Sequence, residues 1–399
     1  MTSVAVSANV RAISASIRER WKMSLEARAL VLLVAVLLAF GLATVYSASA
    51  IAAMSADRPH WYYLARQLSG VLIGVAVFAL AAKTDAERWS KWAWPLMLAS
   101  LVLLLVVVLP FTTAIAPRIN GSRRFLIGAS LQPSELGKLA VVMWTAMLVV
   151  KKGERLRGLT KGLLPFLVII GLMDLLVAME PDLSAAMLYT VVMAVILFAG
   201  GARIGHFLLL GVLAIPLLWH EVERLQYVAL RMASFLDPGD APAQVSYQLR
   251  QSLIAVGSGR FFGVGFGQGR QQYGFLPEPF NDFIGSNVGE EWGFVGMVAL
   301  VVAFALYAVL GFRIARDART QFQRLVATGL TFTTVLTAYL HLGVVIGLLP
   351  TTGLTLPFIS YGRSNLVLSL LCTGILVNIG SRREKVVGDR ATDPLAIGA

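Results

Sequence analysis

Long apolar runs separated by short polar stretches dominate the chain. A helix crossing the roughly 30 Å hydrocarbon core of a bilayer needs about 20 apolar residues. By that measure the sequence predicts ten spans, near residues 28–48, 64–82, 92–110, 133–150, 163–179, 183–200, 203–220, 293–313, 324–348 and 364–380. The fifth to seventh are separated only by Glu180-Pro181-Asp182 and Gly200-Gly201-Ala202-Arg203. The first run ends in Tyr46-Ser47-Ala48-Ser49-Ala50, which imitates a signal-peptidase site, but it is long for a cleaved leader and more spans follow, so it is read as retained. The expected fold is therefore all-α, a polytopic transmembrane helical protein. It has a tail at 1–27, a ten-span membrane domain at 28–382 and a second tail at 383–399, with a long outer loop (221–292) between spans seven and eight.

Composition agrees with that pattern and narrows the class. The 399 residues are 57% hydrophobic and only 14% charged, with mean hydropathy +0.74, whereas soluble domains carry about 25% charged residues. This excludes an ordinary cytoplasmic enzyme, a disordered chain and a nucleic-acid-binding domain, in spite of a net charge of +12. The single cysteine, Cys372, lies inside an apolar run, so no intrachain disulfide or thiolate metal site is expected.

The basic residues set the orientation. With both termini in the cytoplasm most Lys and Arg fall on inner segments, as the positive-inside rule requires. The outer segments carry arginine and no lysine: Arg58, Arg118, Arg123, Arg124, Arg224, Arg231, Arg250, Arg260, Arg270 and Arg363. Arg118, Arg123 and Arg124 crowd one loop, and guanidinium groups suit bidentate binding of phosphate or carboxylate. An anionic substrate on the outer face and simple pairing with lipid headgroups both fit this cluster.

Other polar groups gather at the same level. Tyr247 to Val256 suits a short amphipathic helix, and the seven glycines between Gly257 and Gly274 suit re-entrant backbone at the membrane surface. Asp282, flanked by Phe280, Phe283 and Ile284, is expected to be partly desolvated, which raises a carboxyl pKa toward general-base chemistry; a helix N-cap is the alternative reading. Lys138 stands at i+3 from Glu135 at the start of the fourth span, a spacing that puts both on one helix face, and a lysine within a membrane helix needs a partner. Asp174, inside the fifth span, has no partner nameable from sequence. His60, His206, His220 and His341 show no metal-ligand spacing and read as structural or interfacial.

Taken in order, these motifs resemble the FtsW/RodA family of peptidoglycan glycan polymerases. The resemblance runs over most of the chain. It rests on Asn120-Gly121-Ser122-Arg123-Arg124-Phe125, Gln132-Pro133-Ser134-Glu135 with Lys138, Pro181-Asp182-Leu183, Tyr247-Gln248, Gln251-Ser252, Leu276-Pro277-Glu278, Asp282-Phe283-Ile284, Gly289-Glu290-Glu291 and Leu349 to Gly362. Gly353-Leu354-Thr355-Leu356-Pro357 is most similar to the family's cell-division branch. The chain departs from the family pattern at Arg363-Ser364-Asn365, at His341, where the family usually has Asn, and at Phe280-Asn281.

The resemblance implies a glycosyltransferase that polymerises lipid II, an undecaprenyl-diphosphate disaccharide-pentapeptide, on the outer face of the bacterial cytoplasmic membrane. It makes Asp282 the expected base and Arg118, Arg124 and Lys138 the expected diphosphate ligands. Glu135 and Asp182 would position Lys138 or, with Asp282, hold a divalent cation (Mg²⁺ or Mn²⁺). Ser360, Ser364 and Arg363 are further expected substrate contacts. A class B penicillin-binding protein transpeptidase and other divisome proteins are the implied partners, at the septum. A lipid II flippase and a non-catalytic divisome scaffold are the competing readings. The polar groups lie at one face rather than at mid-membrane, which disfavours the flippase.

Overall fold

The computed structural model describes residues 17–112, 116–117, 123–126, 131–180, 182–203, 205, 232, 235–236, 243–277 and 279–387. The helices are α1 (Leu25–Ser55), α2 (Tyr62–Lys83), α3 (Arg88–Val108), α4 (Pro133–Lys152), α5 (Leu164–Met179), α6 (Leu183–Ala199), α7 (Ala243–Ser258), α8 (Ile284–Arg316), α9 (Gln321–Val345) and α10 (Arg363–Ile379). Among the described residues, seven helices are long and apolar enough to cross a membrane, and α6 and α10 are shorter apolar helices. The seventh expected span and the first part of the outer segment lie outside the described residues.

Local chemistry starts these helices. Ser24 caps α1, its Oγ accepting from Ala27 N–H at 3.1 Å, and Thr320 does the same for α9 through Gln323 N–H. Pro133 occupies the first turn of α4, where its missing N–H costs nothing. α4 is central and buried along most of its length, flanked by α3, α6, α9 and α10. Trp144, Tyr189, Phe166 and Phe304 are among the largest fully buried side chains. Leu32, Leu72 and Val102 stand exposed on the outside of the bundle, as lipid-facing residues do.

Two features depart from the sequence reading. First, α8 begins at Ile284, well before the apolar run near 293, because the polar stretch Gly285 to Glu291 is already helical and buried. The helix then breaks at Gly293, whose φ of 63° and ψ of −155° suit glycine. The loop 259–265 fills the break with backbone hydrogen bonds. Val264 and Gly265 donate to Glu290 and Glu291, and Phe294 and Val295 donate to Arg260 and Phe261. Phe261 stacks on Phe294 at 5.7 Å, about ten residues and so roughly 15 Å down the helix from Ile284. The glycine-rich segment thus docks along α8 at its break, with Phe261 and Phe262 exposed. Second, the tails are not independent. β1 (Ile17–Met23) pairs antiparallel with β2 (Ser381–Val387), in register from Ile17↔Val387 to Met23↔Ser381. This ribbon puts both flanks of the membrane domain on one side.

Candidate active site

Asp282 lies in the turn that leads into α8, half-buried. The N-cap position of α8 is Phe283, with no side-chain cap bond, so the helix-cap alternative for Asp282 is not the arrangement found. The neighbouring backbone is anchored from the segment between α9 and α10. Tyr361 N–H donates to Phe280 C=O at 2.9 Å, and Ser360 Oγ donates to Asn281 C=O at 2.9 Å while accepting from Leu356 N–H at 2.8 Å. Ser360 therefore braces the Asp282 turn. Across from that turn, a Cβ placed on Gly353 would stand 3.8 Å from Asp282 Oδ2 and 3.5 Å from Arg124 Nη1. The expected base and an expected diphosphate ligand thus meet over a residue with no side chain.

Arg124 is fixed at its other edge, its Nε donating to Glu180 C=O at 3.0 Å. Glu180 closes α5 and is only 2% exposed. Neither carboxyl oxygen has a hydrogen-bond partner among the described residues. Burial, aided by the charge of Asp182 and opposed by Arg124, pushes its pKa up to about 9, so at neutral pH it is a neutral acid. Asp182 is the N-cap of α6, its Oδ1 accepting from Ala185 N–H at 3.2 Å. That is the capping role sequence alone offered for Asp282.

On α4, Lys138 Nζ and Glu135 Oε1 form the expected pair at 2.7 Å, with side chains about one-tenth exposed. Tyr189 of α6 joins the pair to the Asp182 side. Its hydroxyl donates to Ser134 C=O at 2.5 Å, and the ring lies within electrostatic reach of Asp182, Glu135 and Glu180. A Cβ on Gly137 would overlap the Tyr189 hydroxyl, so this close approach of α4 and α6 depends on that glycine. Beside the ion pair a small, mostly apolar cavity of about 30 Å³ is lined by Lys138, Leu139, Leu330, Thr334, Asn365 and Leu368. Ser364 Oγ accepts from Gln132 N–H at 3.1 Å, tying α10 to the start of α4.

Arg363 is placed elsewhere. Its Cγ lies 3.2 Å from the position of a Cβ on Gly70 of α2. Its charge acts on Tyr361, whose pKa burial raises and Arg66 and Arg363 lower again. Arg118 lies outside the described residues. Among the described residues, no group of three or more His, Cys, Asp or Glu side chains is placed to hold a metal ion. Of the three carboxylates expected to hold a divalent cation, Glu135 is engaged by Lys138 and Asp182 by the α6 backbone. Asp174 has its partner in Thr190 Oγ1, at 2.6 Å.

The sequence reading missed three residues of this region. Glu180 was legible only as part of a connecting tripeptide. Gln67 lies in a span, and its amide donates to Ser360 C=O and accepts from Gly362 N–H; a polar residue in an apolar run was the available signal. His341 read as structural, and its two hydrogen bonds reach this site.

A family model of cell cycle proteins that takes in FtsW, RodA and SpoVE matches residues 28–385. The chain belongs to this family. A probable peptidoglycan glycosyltransferase FtsW of Trichlorobacter lovleyi is 38% identical over 354 residues, covering 88% of this chain and 92% of the relative. Stage V sporulation protein E of Bacillus subtilis is 36% identical over 352 residues, covering 88% and 95%. Among solved structures, a chain of a peptidoglycan synthase complex that coordinates polymerization and crosslinking superposes with TM-score 0.72 at 28% identity, covering 88% and 96%. RodA of Thermus thermophilus superposes at 0.63 with 27% identity, covering 88% and 95%. The polytopic helical architecture is thus that of the FtsW/RodA family.

Proposed function

We propose that this chain is a peptidoglycan glycosyltransferase that polymerises lipid II on the outer face of the cytoplasmic membrane. The observation that carries the reading is the meeting of the Asp282 carboxylate and the Arg124 guanidinium over Gly353. It occurs in a family member whose relatives include a probable peptidoglycan glycosyltransferase. The 4-hydroxyl oxygen of an incoming lipid II attacks the anomeric carbon of the growing chain. A glycosidic bond forms, the bond to the diphosphate oxygen breaks, and the configuration inverts. Asp282 takes the hydroxyl proton, and undecaprenyl diphosphate leaves. Arg124 stabilises the charge that develops on the leaving group, with Arg118 and Lys138 as the further cations.

A cell-division role is supported by the Gly353 to Pro357 sequence and by the FtsW relatives. A penicillin-binding transpeptidase partner is supported by the likeness to a synthase complex, and septal location follows from those two readings. The test is glycan formation from lipid II supplied in the outer leaflet, using the chain purified with its transpeptidase partner. Asp282→Asn is expected to lower polymer yield more than 100-fold, within the range for loss of a general base, without lowering expression. Equal yield from wild type and variant would sink the assignment. No polymer from the wild-type pair would return the flippase and scaffold readings.

A further inference from the structure

His341 of α9 is 1% exposed, and both ring nitrogens are used. Nδ1 lies 2.9 Å from Leu354 C=O. A carbonyl only accepts, so Nδ1 carries the proton. Nε2 is then the acceptor, and Gly285 N–H donates to it at 3.3 Å. These two backbone partners flank the two halves of the candidate site. Gly285 lies in the first turn of α8, three residues after Asp282, and Leu354 follows Gly353 directly.

The first N–H groups of a helix have no partner within it and need one from outside. In α8 the N-cap side chain supplies none, and a ring from another helix does the capping. Contact there is close, since a Cβ on Gly285 would stand 3.3 Å from His341 Nε2 and 3.2 Å from Val345 Cγ2. Asp282 is thereby braced on both sides, at Asn281 by Ser360 and at Gly285 by His341. The same imidazole holds the strand of chain that brings Gly353 opposite.

We propose that His341 is a positioning residue, which sets the distance between the Asp282 carboxylate and the Arg124–Gly353 wall by holding Gly285 N–H and Leu354 C=O on one neutral ring. It touches no substrate and acts through the backbone on either side of the site. This rests on the glycosyltransferase reading above, with Asp282 as the base. A misplacement of about 1 Å at a reacting group costs roughly 100-fold in rate.

The test compares wild type, His341→Phe, which keeps a ring and loses both nitrogens, and His341→Asn, which keeps one donor and one acceptor. Each is purified with the transpeptidase partner and titrated with lipid II. His341→Phe is expected to lower kcat about 100-fold while KM stays within about threefold, and His341→Asn to recover kcat to within about tenfold of wild type. Gly285→Ala, which keeps the imidazole but crowds it, is expected to show the same kcat-selective loss and serves if His341→Phe does not fold. In hydrogen exchange, the Gly285 amide of the Phe variant should exchange at least about tenfold faster than in wild type. A kcat for His341→Phe within threefold of wild type, an equal loss in kcat and KM, or no recovery with Asn would overturn the proposal, as would unchanged exchange at Gly285. If the wild-type pair forms no glycan, the glycosyltransferase reading fails, and the exchange measurement alone decides whether His341 holds the turn.

Discussion

The Glu180 carboxyl titrates at about 9 in the fold against an ordinary value of 4.5. Its folded-state pKa is raised, so the stability of the folded form is fully present below pH 4.5 and falls as the pH climbs toward 9. Glu180→Gln removes that dependence. The variant's thermal midpoint should exceed that of wild type by a margin that widens from pH 5 to 9, equivalent to about 3 kcal/mol at pH 7. Equal midpoints at every pH would show that the carboxyl is ionised and solvated. The Glu135–Lys138 pair behaves differently, because each charge is buried against the other. Glu135→Gln strands the ammonium, at a cost of about 3–5 kcal/mol, whereas the double change to Gln and Met should cost less. Thermal unfolding of the three proteins checks the order, and a double variant less stable than the single one would contradict it. Sequence spacing revealed this pair because i and i+3 share a helix face, and Asp282 stood out by its aromatic flanks. Glu180 stayed hidden, and His341 showed only as a departure from the family pattern, since their roles depend on what distant segments bring beside them.

Within the elements, the glycine-rich loop makes the sharpest distinction between neighbouring glycines. A Cβ on Gly259 would overlap the Gly289 carbonyl oxygen, whereas one on Gly257 meets nothing within 4 Å. Gly259→Ala should therefore release the loop from the α8 break at a cost of at least about 2 kcal/mol, and Gly257→Ala should be nearly neutral. Limited proteolysis between residues 259 and 275 in detergent reads the difference, and equal cleavage of the two variants would refute the docking. The glycine run announced backbone that turns tightly and approaches closely, and the amphipathic stretch announced α7. The sequence did not show which helix would receive the loop. Gly293 sits among apolar residues, and its break exists only because four backbone hydrogen bonds from the loop replace those the helix gives up.

For the whole molecule, hydropathy alone was sufficient for the membrane class and for seven helices long and apolar enough to cross among the described residues, since few arrangements satisfy backbone groups in lipid. The terminal ribbon was not legible, because charged tails carry no long-range pattern. It has a topological use. The nine described apolar helices are an odd number, while the paired strands set both flanks on one side. The sequence reading expects a further crossing near 203–220, mostly outside the described residues. Cysteine substitutions at Arg203, which is exposed, and Gln248 should then label from opposite sides in a Cys372→Ser background, and labelling of both from one side would remove that crossing. The ribbon also sets a clock. Its strands are about 360 residues apart in sequence, and at roughly 5–20 residues per second the first waits some 20–70 s for the second to be made. Every described helix is synthesised before the ribbon can close, so its formation marks a chain made through α10, and a product truncated before residue 381 keeps an unpaired N-terminal strand.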